Sequence, residues 1–437
     1  MGEKRAVQLA VRLGMALALL ACAYQAARSG LAAAYFRHPT PERIEQALRF
    51  DPGRPKYHAA LARVRQYAPD ADLEEVIRHY EAAVARSPRQ ADYWADLADA
   101  YELAGRLEEA ERAYERARQA APNSPTVGWQ RGNFLLRRGQ VAAALEAFRP
   151  VLVAKPALRR QAFDLAWRAT GDGRLILERM IPPQADIGLE YLNYLVAQQR
   201  LEAAGELWSK LLAWNQAFDP RAAFPFLDAL REHGQPDRLE TAWAELGTRH
   251  PLAFPRRAAP DELITNGGFE SDLWNGGLDW RVQPVEGAVV SVDNLNFFDG
   301  ARALRLEFDG RHNLHYQHVF QFVPVRPAAA YRFSFFLRTQ GLTSDSGPRF
   351  EITDAYEPGR LALTTRNVLG SARWSLEQLE FSTGPETRLL LVRLIRPPSQ
   401  KLDNRLAGTV WLDQVRLTAL PARRAENTAR AGAPVPH

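Results

Sequence analysis

Residues 91–124 read ADYWADLADAYELAGRLEEAERAYERARQAAPNS. Trp94, Leu97, Ala98 and Tyr101 stand at i, i+3, i+4 and i+7, which is one face of a helix. Gly105 breaks that helix and permits a left-handed turn. Ala110, Tyr114, Ala117 and Ala121 mark the buried side of a second helix, which Pro122 stops. Small residues at Ala98 and Ala110 let the two helices approach closely. The unit recurs with a period of 34 residues on either side. In residues 57–90, Leu61 and Val64 belong to the first helix, Val76, Tyr80 and Ala83 to the second, and Pro88 to the stop. In residues 125–158, Gly128, Gly132 and Leu135 are followed by a turn at Gly139, then by Ala144, Phe148 and Pro156. One such pair cannot bury its apolar face alone. The repetition therefore predicts a stack of pairs with an extended surface, an architecture for holding partners rather than for catalysis.

The period and residue pattern resemble the tetratricopeptide repeat. After Pro156 the pattern weakens, but two further pairs follow, one around Leu192, Leu195, Ala204 and Trp208, the other around Phe226, Ala229, Leu239 and Trp243. Before the repeats, Ile44, Ala47 and Leu48 mark a lone second helix. The solenoid is expected over residues 38–252, with about five helix pairs. The recurring aromatics Tyr80, Tyr114, Phe148, Trp208 and Trp243 are expected to pack between repeats. The resemblance implies a partner groove lined by the first helices. Arg65, Asp99 and Asn133 occupy equivalent positions there, and Trp129, Asn133 and Arg137 share one helix face. An aromatic, an amide and a guanidinium together suit an extended peptide or an acidic chain terminus.

The N-terminal segment, residues 1–37, has a basic start (Lys4, Arg5, Arg12) and then twelve residues, Leu13 to Tyr24, without charge or amide. Three export readings stay open. The segment is an uncleaved anchor from about Leu13 to Phe36, a lipoprotein signal ending at Cys22, or a signal cleaved after Ala21-Cys22-Ala23. Each places the bulk of the chain outside the cytoplasm, and the positive-inside rule sets the orientation of an anchor. Cys22 is the only cysteine, which excludes an intrachain disulfide. A net charge of +5 spread over 437 residues, with no basic stripe interleaved with aromatics, argues against nucleic acid as a partner.

After a proline-bearing linker, residues 253–262, the chain changes period. Short alternating segments such as ALRLEF, YRFSFFLR, RLLLVRLI and TVWLDQVRL are punctuated by Gly, Asn, Asp and Pro, the pattern of an antiparallel sandwich. Residues 421–437 carry no apolar periodicity and are expected to be a disordered tail. The segments ELITNGGFESDLWNGGLDW, FFDGARALRLEF and GTVWLDQVRL give residues 263–420 a resemblance to carbohydrate-binding modules of the galactose-binding-like jelly-roll type. That resemblance implies a structural Ca²⁺ held by Glu270 and Asp413 with carbonyls near Gly268 and Gly300, and hard oxygen donors suit that ion. It also implies sugar platforms. Trp274, Trp280, Tyr316, Tyr356 and Trp374 are the candidates, with Asp354 beside Tyr356. Trp274 and Trp280 flank Asn275-Gly276-Gly277, read as a flexible loop presenting them at the rim.

The expected molecule is therefore multidomain α + β. An N-terminal anchor helix precedes a tetratricopeptide-repeat solenoid, and a jelly-roll sandwich follows. Its expected role is a non-enzymatic, membrane-attached scaffold. The repeats would hold a protein, and the sandwich a glycan or second protein, a combination that resembles bacterial envelope proteins accompanying exopolysaccharide production. Two rivals remain: a polysaccharide-processing enzyme using Asp354 and Glu357, and a β domain that only caps the solenoid. No phosphate loop or His-Glu-x-x-His appears, and in a strand His315 and His318 point to opposite faces, so His312, His315 and His318 cannot share one metal without a bulge.

Overall fold

The helices begin and end where local chemistry directs. In the computed structural model, which describes residues 2–251, 254–402 and 404–421, helix α1 spans Gly2–Phe36 and α2 Pro41–Phe50. The repeats follow as α3 (Pro55–Gln66), α4 (Leu73–Arg86), α5 (Ala91–Leu103), α6 (Leu107–Ala120), α7 (Pro125–Arg137) and α8 (Val141–Ala154). Asp72 caps α4 by accepting from the backbone N–H groups of Glu74 and Glu75. Gly105 and Gly139 turn the chain with φ of 74° and 72°. In the α7–α8 pair, a Cβ on Gly132 would stand 2.5 Å from the Phe148 ring, so the absence of a side chain sets how closely the helices approach. Tyr80, Tyr114, Phe148, Trp208 and Trp243 are all buried, as their spacing predicts.

Two departures from the sequence reading concern the helical region. First, α2 is not alone. Ala32 and Phe36, at the end of α1, pack with Ile44, Ala47, Tyr57 and Leu61, and Arg28 Nε donates to the Phe50 carbonyl at 2.9 Å. The last turns of α1 thus serve as the first helix of a pair. Within α1, residues 8–36 are a 29-residue stretch that reaches a mean hydropathy of 1.6, long and apolar enough to cross a membrane. Second, α9 (Pro156–Thr170) is followed by a short helix, α10 (Gly173–Arg179), that burial rather than periodicity reveals: Ile176 and Leu177 are enclosed. Helices α11 (Ala185–Ala197), α12 (Leu201–Ala213), α13 (Phe224–Glu232) and α14 (Pro236–Arg249) complete the helical part.

The chain divides into two compact units, Met1–Tyr194 with Gly205–Gln216, and Leu195–Ala204 with Ala217–His437. The second unit contains α13, α14 and the sandwich. Its strands are β1 (Arg281–Val282), β2 (Ala288–Asp293), β3 (Ala303–Asp309), β4 (Tyr316–Pro324), β5 (Ala330–Leu342), β6 (Arg349–Asp354), β7 (Ala362–Thr364), β8 (Gly370–Ser382), β9 (Leu389–Arg396) and β10 (Ala407–Ala419). They form two antiparallel sheets, ordered β1-β4-β9-β6-β7 and β2-β3-β10-β5-β8. Alternation fills the space between them: Phe333, Phe335 and Leu337 point inward from β5 against Phe350 and Ile352 of β6. The segment before β1 runs beside the end of β10, where Val415 N–H donates to the Gly267 carbonyl at 2.9 Å. Strands β1 and β7, two and three residues long, are too short to show alternation in sequence. The disordered tail expected over residues 421–437 lies, from residue 422, outside the described residues.

Helices α13 and α14 pack directly on this sandwich. Trp243 of α14, Phe254 and Trp274 form an aromatic cluster with ring-centre separations of 4.4 to 6.1 Å, and Phe224 of α13 joins it at 6.2 Å from Trp274. The Arg231 guanidinium lies 4.5 Å from the Phe322 ring of β4, and Asp228 pairs with Arg281 of β1. Phe320 and Phe322 alternate with the inward Val319, Gln321 and Val323, so α13 covers part of the outer face of the β4 sheet. Trp243 is 4% exposed, and truncating a Trp so enclosed costs about 3–5 kcal/mol. Trp243→Ala should therefore lower the denaturation midpoint of the unit that carries the sandwich. A midpoint for the β-sheet signal equal to wild type would show that the helix pair contributes nothing to it.

Candidate functional site

The six proposed sugar-contacting side chains do not assemble into one site. Trp280 has no exposed surface and packs against Phe269 and Phe350, so it is a core residue and offers no ring face to a ligand. Trp274 is 8% exposed inside the aromatic cluster, with Arg221 at 5.6 Å from its ring. The loop between them is not the flexible presenter the glycines imply. A Cβ on Gly276 would stand 2.2 Å from Phe224 and one on Gly277 2.2 Å from Trp243, so the glycines exist to let two helices press on the loop. Tyr316 is likewise enclosed. Asp354 is buried at the end of β6, where its Oδ1 accepts from the Tyr356 and Glu357 N–H groups at 2.8 and 3.0 Å. That oxygen is committed to its own turn while Oδ2 is buried without a partner, and Glu357 pairs with Arg360, an arrangement unlike two carboxylates facing each other across a glycoside. Tyr356 is 40% exposed in the bend after β6, a strand of the other sheet from Trp374.

Trp374 remains, and its surroundings are built. It lies half-buried on β8, in the sheet whose outer face α13 does not touch through Phe322. Across from it, Leu337 of β5 pairs with Ser375 and Thr339 with Ala372. Arg338 alone therefore opposes both Arg373 and Trp374. That is a β-bulge, which aims two consecutive side chains at the same side of the sheet instead of opposite sides. The result is an open depression of about 630 Å³ lined by Arg338, Gln340, Ser371, Arg373 and Trp374 among others. Arg338 is held in place: its guanidinium lies 4.9 Å from the Trp411 ring and donates to Asn296 Oδ1 at 2.9 Å. Trp411 Nε1 donates to Asp293 Oδ2 at 2.8 Å. Burial opposes ionisation of Asp293, but the bonds from Trp411, Leu295 and Asn296 outweigh it and bring its pKa down to about 2. The Phe298 ring stacks on Phe336 and meets Trp374 at 63°. Sequence reasoning named Trp374 but missed Arg338 and Arg373, because a bulge is a property of strand register.

The four residues expected around a metal do come together. Glu270 Oε1 accepts from the Ala301 and Arg302 N–H groups, and a Cβ on Gly300 would meet that same oxygen at 2.1 Å. Asp413 Oδ2 accepts from Phe298 and Asp299 N–H groups, while Gly268 lies close enough that its Cβ would stand 3.9 Å from Asp413 Oδ1. Among the described residues neither carboxylate pairs with an arginine or lysine. Burial, and then the nearby Glu270 charge, push the Asp413 carboxyl up against its backbone hydrogen bonds. Both carboxylates already accept backbone N–H groups, and among the described residues no third Asp, Glu, His or Cys joins them, so a Ca²⁺ here would take its remaining oxygens from carbonyls and water.

Asp279 is a buried acid that the sequence did not single out. It receives the Trp274 N–H at 2.6 Å, and its other oxygen has no partner. Burial raises its pKa to about 7. An acid raised in the folded state contributes fully below its unfolded pKa and loses that contribution as pH rises through the folded value. Wild-type stability should therefore fall between about pH 4 and pH 7 on this account, at no more than about 1.4 kcal/mol per unit. Asp279→Asn keeps an acceptor for Trp274 and should flatten that part of a melting-temperature profile. A profile identical to wild type would assign the slope elsewhere.

In the repeats, the proposed groove residues are mostly engaged with one another. Arg65 bridges Glu45 and Glu75. Asp99 accepts from Tyr114 Oη and from Gln130 Nε2, and burial raises its pKa. Arg137 forms a two-pronged pair with Glu102 at 2.6 and 2.7 Å, linking α7 to α5. Asn133 donates to the Trp129 carbonyl on its own helix. Trp129 is half-buried, 5.5 Å from Phe148, rather than free on the surface. The first helices thus carry a polar lattice whose exposed members are Arg137 and, from α3, Arg63 in its pair with Asp96.

A model of the tetratricopeptide repeat matches residues 70–130. No curated protein matches the chain. Among solved structures, the chain is similar to PilF of Pseudomonas aeruginosa, with 19% identity over 52% of this chain and 93% of that one, at a TM-score of 0.25. It is also similar to a family 16 carbohydrate-binding module, with 18% identity over 36% of this chain and 99% of that one, at a TM-score of 0.26. The enzymatically active domain of tailspike protein 4 from bacteriophage CBA120 is 11% identical, at a TM-score of 0.29; the match covers 37% of this chain but only 22% of that domain. The helix pairs over residues 70–130 are tetratricopeptide repeats. The chain joins such repeats to an antiparallel β-sandwich of two five-stranded sheets.

Proposed function

We propose that this protein is a non-enzymatic scaffold of the bacterial envelope, held at the cytoplasmic membrane by α1, with its repeats and sandwich on the outer side. The repeats hold a protein partner and the free face of the sandwich holds a glycan, in the service of exopolysaccharide production or export. One observation carries the reading: the bulge in β8 gathers Trp374, Arg373 and Arg338 around an open depression, on the sheet opposite the one that α13 covers. An indole with one open face beside amide, hydroxyl and guanidinium groups is how proteins grip sugar rings. The solenoid half rests on the repeat architecture, with Arg137 and Arg63 as the side chains most accessible to an acidic partner segment, since exposed ion pairs exchange at little cost.

Glycan-affinity electrophoresis of the full chain in gels containing envelope exopolysaccharide tests the glycan half. Trp374→Ala should lose the retardation while Arg137→Glu keeps it, and Arg137→Glu should lose the protein captured from solubilised membranes while Trp374→Ala keeps it. Retardation of neither the wild type nor any variant would overturn the glycan role.

The same reading includes a structural Ca²⁺ held by Glu270 and Asp413, tying the start of the sandwich to its last strand. An ion that binds only the folded state stabilises by about 2.7 kcal/mol at a hundredfold excess over its Kd. Chelation should lower the melting temperature, and Glu270→Gln or Asp413→Asn should each abolish that response. Equal melting with and without chelator would leave the two carboxylates as acceptors for backbone N–H groups alone.

The rival in which the β domain is only a cap draws on the Trp243–Trp274 cluster. That cluster explains one face of the sandwich and leaves the built depression on the other without a role.

A further inference from the structure

The depression beside Trp374 has a charge pattern that selects among glycans. Its lining includes two arginines and no carboxylate. Arg338 is fixed by Trp411 and Asn296, whereas Arg373 is exposed and, among the described residues, has no acidic partner within ion-pair distance. Of the acids on this sheet, Asp413 is buried against backbone N–H groups and the others have partners elsewhere. Glu380 pairs with Arg332, Glu377 with Arg366, Glu307 with Arg305, and Asp293 serves Trp411. The Asp293 carboxylate reaches Arg338 through Asn296, so the charge at the depression that has no acidic partner among the described residues is that of Arg373. Gln340 and Ser371, both exposed, stand on the same rim, although Ser371 Oγ already accepts from the Gly341 N–H at 2.9 Å.

From this arrangement we infer that the sandwich binds an acidic polysaccharide, one whose sugar rings carry carboxylates, in preference to a neutral one. The inference rests on the glycan reading given above and narrows it. A pyranose ring stacks on Trp374. Its carboxylate lies between the two guanidinium groups and takes the two-pronged hydrogen bonds that Arg373 is free to give. Gln340 receives and donates to the hydroxyls. The bulge is what makes the combination available, because in a regular strand Arg373 and Trp374 would point to opposite faces. A neutral sugar could use the indole and the amide but would leave the Arg373 charge without a counterpart. An uncommitted guanidinium beside an aromatic platform is a selective element for anionic rings.

Isothermal titration of the full chain with defined oligosaccharides tests this. The probes are oligomers of galacturonate, glucuronate, mannuronate and guluronate, each with its carboxyl-reduced neutral counterpart, and oligodeoxythymidylate as an unrelated polyanion. At least one uronate oligomer should bind ten times or more tighter than its reduced form. Arg373→Gln should remove that preference while leaving the weaker neutral binding, and Trp374→Ala should weaken both. Arg332→Gln, on the same face but paired with Glu380, should change neither and reports that the sandwich stays folded. Equal affinity for the acidic and reduced forms would overturn the acidic preference and leave the glycan role standing. Oligodeoxythymidylate binding as tightly as the uronates would overturn it in favour of a general polyanion surface. Binding of no oligosaccharide, acidic or neutral, would overturn the glycan role along with it.

Discussion

A helix pair of the tetratricopeptide kind buries one face inside itself and leaves another that only a neighbour can cover. Every large feature of this chain answers that constraint. Within the array each pair covers the last, with small residues such as Gly132 setting the approach. At the start, the cover comes from Ala32 and Phe36 in the final turns of α1, so the helix apolar enough for a membrane is also part of the fold. Cleavage or lipidation near Cys22 would leave those turns in place. In the second unit, α13 and α14 have Trp274 and Phe322 of the sandwich to pack on.

Covering helices in this way decides which sandwich surface is left for a ligand. The face of the β4 sheet around Phe322 is spent on Arg231 of α13. On the other sheet the outward side chains tell a different story: Trp411 is sealed under Arg338, and Phe298 folds back onto Phe336, but Trp374 keeps an open side. The polar groups that hold loops in place are separate again. Arg396, wholly buried, donates to Ser346, Asn313, Leu314, Ser344 and Asn404, pinning three loops through one guanidinium.

The helix pairs and most strands were legible in the sequence because both announce themselves by period: 34 residues between equivalent positions such as Tyr80 and Tyr114, and alternation along segments such as YRFSFFLR. The site was much less legible. A tryptophan beside paired glycines reads equally well as a sugar platform and as a contact pressed close by distant residues. Which holds for Trp274 depends on Phe224 and Trp243, tens of residues upstream. Trp280 fails as a candidate for the plainer reason that both sheets close over it. Arg373 could not be picked out by spacing, since its side of the sheet is fixed by how β8 pairs with β5. Glu270 and Asp413 came from opposite ends of the domain by resemblance alone, and the structure brings both within reach of one glycine, Gly268.

The bulge in β8 makes the composition of that face depend on counting. Two residues stand where a regular ladder has room for one, so the strand carries a surplus position that the core does not use. A shortening by one residue there would leave Leu337, Ser375 and the rest of the pairing free to close up with the hydrophobic interior intact. The surface would then present one side chain where it now presents two. Length, rather than any substitution, is the coordinate along which this face can gain or lose a function while the fold beneath it stays the same.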